Sequence, residues 1–275
     1  MAWKAGRESG YRTLFVGAFS LAIAFIIYSS LSGTSGAVQT QNLTGMAYAT
    51  LAITAAAMAA ATYGAYRIFR TEQARLAGSS SLMSFVTGAF SDKRYWKIMA
   101  ASAIGYGIFF GFLSQILVLR PDVSFSEQGI AVPSAEMIPC CGAPGYMPMF
   151  TVYFTDHFLL LIIPVNVMLA AVVSMMVGFN IALSTYAYRL RKTVQTSMSL
   201  VGGLGATTGL FVGCPTCAGS LLSAVLGLGA IGAGASASAL APFQTLFIAA
   251  SLPALAVAPL LLASSIRSMS RCSVK

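Results

Sequence analysis

Apolar blocks of about twenty residues without a charge recur along this chain, and each is long enough for an α-helix, rising about 1.5 Å per residue, to cross roughly 30 Å of hydrocarbon. That feature governs what the chain can become. Of 275 residues, 57% are hydrophobic and 8% charged, whereas an ordinary soluble domain carries about 25% charged residues. Too few water-facing side chains exist to cover a soluble core.

A net charge of +9 invites a nucleic-acid reading, but the placement of the basic residues argues otherwise. They gather in four clusters: Lys4, Arg7 and Arg12; Arg67, Arg70, Arg75, Lys93, Arg94 and Lys97; Arg189, Arg191 and Lys192; Arg267, Arg271 and Lys275. With every cluster in the cytoplasm, 15 of the 16 basic residues obey the positive-inside rule and only Arg120 lies outside. Asp122, Glu127, Glu136 and Asp156 then also lie outside. The expected partner is the lipid bilayer of the cell membrane, with no nucleic acid and with both termini cytoplasmic.

The apolar blocks predict helices over 13–31, 45–66, 98–119 and 158–188. The first is long for a signal peptide and lacks a small-x-small cleavage site after it, so it is expected to be retained. Between the second and third, Leu82, Phe85, Val86 and Phe90 alternate with small polar residues, which fits either a short helix on the membrane surface or a polar linker. Gly107 and Gly111 have the small-xxx-small spacing that admits a close neighbour. The 120–157 segment, with Pro121, Pro133, Pro139, Pro144 and Pro148, predicts an ordered extracytoplasmic loop or cap. The long fourth helix must tilt, bend at Pro164 or project beyond the lipid, with Asn166 and Asn180 toward other helices.

From Lys192 to Arg267 there is no charge over 74 residues, enough for two crossings and something more. A fifth helix over 196–213, with Gly205, Gly209 and Gly213 on one face, leads to Cys214-Pro215-Thr216-Cys217. A half-helix over 218–231 and a last helix over 241–264 follow. A seventh crossing would put the basic C-terminal tail outside, so the charge rule favours six, with a broken or re-entrant helix at the CPTC motif. The expected fold is a single all-α polytopic membrane domain of about six helices with a Pro-rich extracytoplasmic loop.

Cys214-Pro215-Thr216-Cys217 is the sharpest local feature. Proline suits the first helical position, both sulfurs share one face, and the helix N-terminus favours thiolate. The 18 residues from Thr196 to Cys214 rise about 27 Å, which carries the motif to the outer face beside Cys140 and Cys141. The four residues resemble the Cys-Pro-x-Cys of thioredoxin-type redox centres. A helix-end CxxC combined with outer-loop cysteines is similar to membrane disulfide oxidases and vitamin K epoxide reductase-like enzymes. Two pairs on one oxidising side permit thiol–disulfide exchange, with a quinone or an extracytoplasmic thiol protein taking the electrons.

Two other readings use the same residues. Cys140, Cys141, Met147, Met149, His157, Cys214 and Cys217 are soft or borderline ligands suited to copper, zinc or mercury, and vicinal cysteines with a helix CxxC resemble heavy-metal transporters. Alternatively, Cys140 and Cys141 bond to Cys214 and Cys217 as static staples in an accessory subunit of a larger membrane complex.

Overall fold

The computed structural model describes residues 2–34, 40–76, 82–139 and 145–193, with Pro253, Ala256 and Val257. It is mostly helical, with α1 (Ala2–Thr34), α2 (Thr40–Leu76), α3 (Leu82–Ala89), α4 (Lys93–Leu113) and α5 (Pro164–Thr193). Between α4 and α5 lie the strands β1 (Leu117–Leu119), β2 (Ser134–Ile138), β3 (Met149–Thr155) and β4 (Phe158–Ile162). Three helical stretches, Arg7–Leu31, Thr44–Leu76 and Pro164–Arg189, are long and apolar enough to cross a membrane. The helices expected over 196–213 and 218–231, and the break at the CPTC motif, lie outside the described residues. Of the helix expected over 241–264, Pro253, Ala256 and Val257 are described and helical.

The chain divides into two compact units, Met1–Arg75 with Gln115–Leu169, and Leu76–Ser114 with Ala170–Lys275. In the first, α1 and α2 form an antiparallel pair whose backbones approach at small residues. A Cβ on Gly10 would meet Ile68 at 2.8 Å, and one on Gly17 would meet the Ala57 carbonyl at 2.9 Å. Both positions are therefore closed to any larger residue. The hydroxyls of Thr50 and Thr54 donate to carbonyls one turn back, Met46 at 2.9 Å and Thr50 at 2.8 Å, so neither is stranded. Along α1, Phe15, Phe19 and Ile26 are each more than 60% exposed. A row of bare aromatic and aliphatic side chains suits hydrocarbon surroundings and not water.

The same unit holds a four-stranded antiparallel sheet in the order β1-β4-β3-β2. Two sequence expectations change here. The apolar run Phe158–Ile162 is a strand, not the start of a helix: it pairs with β1 on one side and β3 on the other. A short apolar run bounded by proline fits either state, and Pro164, at the first position of α5, fixes where the helix begins. Likewise α4 stops at Leu113 and not at Leu119. Ser114 caps it, its N–H and hydroxyl both reaching the Phe110 carbonyl, Gln115 turns left-handed at φ 57°, and Leu117–Leu119 joins the sheet.

β3 and β4 meet in a tight turn at Asp156-His157 after an irregularity between Tyr153 and Thr155. The 120–126 segment wraps that turn: the Arg120 N–H donates to the His157 carbonyl at 2.8 Å and the Phe125 N–H to the Asp156 carbonyl at 3.1 Å. Asp156 is drawn below the usual carboxylate range, chiefly by the Ser126 hydroxyl, then by the Ser126 N–H, with His157 adding a smaller pull. Since folding lowers this pKa, the anchoring is complete above the ordinary value of about 3.9 and is lost as pH falls through the folded one. Protection of the Ser126 amide, its exchange rate relative to an unstructured amide at the same pH, should therefore fall in acid, and Asp156→Asn should remove that dependence. An unchanged profile in the variant would disprove the anchoring role.

In the second unit the segment between α2 and α4 is helical, α3, which favours the helix over the plain linker. Asp92 caps α4 by accepting from the Arg94 N–H at 2.9 Å. Phe90 is buried, stacks on Phe179 at 5.1 Å, and its carbonyl accepts from Trp96 Nε1 at 3.0 Å. Gly107 does lie against a neighbour, Ser174 of α5. The tightest approach is at Gly178, where a Cβ would stand 2.5 Å from the Met99 carbonyl. Asn180 donates to the Met176 carbonyl at 2.8 Å on its own helix and is partly buried.

Candidate functional site

Cys140, Cys141, Cys214 and Cys217 lie outside the described residues. The nearest described residues on either side of the first pair are Pro139 and Gly145, and both are held. Pro139, which follows β2, offers its carbonyl to the hydroxyl of Tyr28 on α1 at 2.7 Å, and Tyr28 is buried. Gly145 offers its carbonyl to the N–H of Val165 in the first turn of α5 at 3.0 Å. Gly145 also has φ 83°, a left-handed backbone, and a Cβ there would collide with Val165 and crowd Phe25 of α1. Only glycine serves at this point.

These two bonds have simple origins. An intramembrane or interfacial tyrosine needs a partner for its hydroxyl, and the carbonyl before Cys140 supplies one. The N–H groups in the first turn of a helix have no intrahelical acceptor, and the Gly145 carbonyl supplies one. The ladder pair Ile138↔Met149 ties the same end of β2 to β3. Pro139 and Gly145 are thus bonded to α1 and α5, and Ile138 to the sheet.

Of the proposed soft-metal ligands, Met147 and Met149 are half-buried at this end of the sheet, Met147 in a cis bond to the buried Pro148. His157 is at the other. The length of β3, Met149–Thr155, separates it from Met149 by about 20 Å of strand, whereas ligands of one ion each lie about 2–2.3 Å from it. His157 Nδ1 is 2.8 Å from the Val123 carbonyl, which only accepts, so Nδ1 carries the hydrogen. The structure gives that ring a role in holding the turn. Among the described residues, no group of three His, Cys, Asp or Glu side chains gathers around a common point.

A groove of about 550 Å³ runs between α1 and α2, lined by residues such as Phe19, Ile23, Ile27 and Ile53. Its hydroxyls are occupied: Ser20 donates to the Gly17 carbonyl at 3.0 Å and Thr50 to Met46. The groove offers hydrocarbon and no catalytic group.

No family model, curated protein or solved structure matches this chain. The likeness to thioredoxin-type centres therefore rests on Cys214-Pro215-Thr216-Cys217 alone. Sequence reasoning named the cysteines but missed Tyr28 and Gly145. The signal for Gly145 was present, as a glycine between Pro144 and Tyr146 in a proline-rich stretch; Tyr28 reads like any other residue of an apolar helix.

Proposed function

We propose that this protein crosses a cell membrane six times, with both termini in the cytoplasm, and carries out thiol–disulfide exchange on the outer face. α4 adds a crossing to α1, α2 and α5, and the segments 196–213 with 218–231, and 241–264, supply the rest. The distribution of the basic residues supports this topology.

The observation that carries the redox reading is the Cys214-Pro215-Thr216-Cys217 motif, and the bonds of Tyr28 to Pro139 and of Val165 to Gly145 hold the chain on either side of the other pair, Cys140 and Cys141. Exchange requires an attacking thiolate to line up with a disulfide, and bonds at Pro139 and Gly145 limit how far the chain between them can travel. Cys214, favoured as thiolate at a helix start, attacks one sulfur of a disulfide on an extracytoplasmic protein and displaces the other as a thiolate. Cys217 then attacks the mixed disulfide, which releases the partner as a dithiol and leaves Cys214 and Cys217 joined. Two electrons pass from the CPTC pair to the partner.

Cys217→Ser should accumulate a mixed disulfide with a partner, whereas Cys214→Ser should not, as read on non-reducing gels after acid quenching. Equal behaviour of the two variants would defeat the proposal. The anchoring equally suits a second reading, in which the four cysteines form static staples in an accessory subunit. A reductant-resistant crosslink between the two pairs would establish that role instead. Soft-metal binding is less favoured, because His157 stands at the far end of β3 and serves the Val123 carbonyl.

A further inference from the structure

The end of the α1–α2 pair farthest from the sheet is strongly basic. Residues 7–12 and 63–76 hold five arginines against two glutamates. Glu72 is neutralised twice, by Arg75 at 2.7 Å and by Arg7 at 3.6 Å. Arg67 and Arg70 are placed otherwise. Arg67 donates to the Ser9 hydroxyl at 2.9 Å and Arg70 approaches the Gln73 side-chain oxygen at 3.4 Å, both neutral groups. Among the described residues neither forms an ion pair.

Tyr63, Tyr66, Arg67 and Arg70 follow the i, i+3, i+4, i+7 spacing, so they share one stripe of α2. Each guanidinium lies over the tyrosine one turn before it, Arg67 over Tyr63 at 5.9 Å and Arg70 over Tyr66 at 6.0 Å. Both tyrosine rings are about half exposed. Tyrosines at the edge of the hydrocarbon and arginines just beyond them match the depth order of a lipid: chain, glycerol region, phosphate.

We infer that Arg67 and Arg70, seated on Tyr63 and Tyr66, bind the phosphate of an anionic phospholipid at this end of α1 and α2. The two guanidiniums supply a charge that nothing among the described residues balances, and their forked donors match phosphate oxygens. The inference rests on the membrane-spanning reading of these two helices, which a separate measurement tests.

That measurement is alkaline carbonate extraction of membranes containing the full chain; release into the supernatant would sink the spanning reading. For the inference itself, the full-length protein is purified in detergent and offered phosphatidylcholine with and without phosphatidylglycerol. The retained lipid is then counted by native mass spectrometry. Phosphatidylglycerol should be held in preference, with retention falling about five-fold per charge removed, in Arg70→Gln and further in Arg67→Gln/Arg70→Gln. Arg70→Gln leaves the Arg67–Ser9 bond intact, which guards against misfolding of the double variant, and Arg70→Lys should retain most of the binding. Equal retention of the two lipids, or undiminished phosphatidylglycerol on Arg70→Gln, would overturn the inference. So would displacement of the lipid by inorganic phosphate, which would assign the site to a soluble anion.

Discussion

Replacing Gly178 with leucine is expected to destabilise the packing of α4 against α5 by about 3 kcal/mol, the upper part of the range for overpacking a tight contact. The atoms in the way are not the ends of flexible side chains. They are the Met99 carbonyl at 2.5 Å, the Ala103 Cβ at 2.9 Å and the Ala103 backbone nitrogen at 3.0 Å. Relief therefore requires one helix to move bodily from the other, which would also disturb the Phe90–Phe179 stack. Thermal unfolding in detergent would register the loss as a large fall in Tm. Gly105 on α4 is the matched control, because a Cβ there meets nothing within 4 Å. Gly105→Ala should be neutral or stabilising by up to about 1 kcal/mol, since glycine is a poor helix former. Similar Tm values for Gly178→Leu and Gly105→Ala would mean that α4 and α5 do not approach as described.

The second large effect is expected at Gly145. Alanine there faces a left-handed backbone, unfavourable by about 1–2 kcal/mol, together with a collision with Val165 and close contact with Phe25. A combined loss of about 3 kcal/mol in local stability is expected once the overpacking is included. The consequence for function is more specific than a lower Tm. Freed at one end, the Cys140–Cys141 segment should react faster with a membrane-impermeant maleimide, under conditions that leave both cysteines reduced. Tyr28→Phe, which removes one hydrogen bond worth about 1 kcal/mol, should act in the same direction more weakly. Labelling rates unchanged in both variants would show that the anchoring does not control access to these sulfurs.

The first two helices were legible because their apolar blocks are flanked by basic residues. Their ends were not: α1 and α2 run to Ala2–Thr34 and Thr40–Leu76, since hydropathy marks the part of a helix that enters lipid and not its polar turns. The close helix contacts were only partly readable. Gly107 drew notice through its spacing, while Gly178, Gly10 and Gly17 share that spacing with Ser174 and Ala182, Gly6, and Thr13, a pattern too common to single them out, and are defined by what faces them. The sheet was hidden for a different reason. Leu117–Leu119 and Phe158–Ile162 are apolar runs contiguous with helices, and their strand character comes from each other, through pairs such as Leu117↔Leu160. No local pattern contains that information. At the candidate site, the chemistry of the cysteines could be read from residue types, but the fastening of their segment could not. It depends on a tyrosine hydroxyl from a helix more than a hundred residues earlier in the chain.

The pairing of β1 with β4 also sets an order of events during synthesis. β3 and β4 are joined by the two-residue turn Asp156-His157, so they can zip together as soon as both exist. β1 leaves the ribosome before either, yet its partner is β4, the last of the sheet's four strands to be made. The first strand must therefore wait with its backbone groups unmatched while the whole intervening segment is produced and delivered. A stall or cleavage in that interval would leave Leu117–Leu119 as an open edge available to another chain. The earliest-made strand is thus where a folding factor would have most to protect.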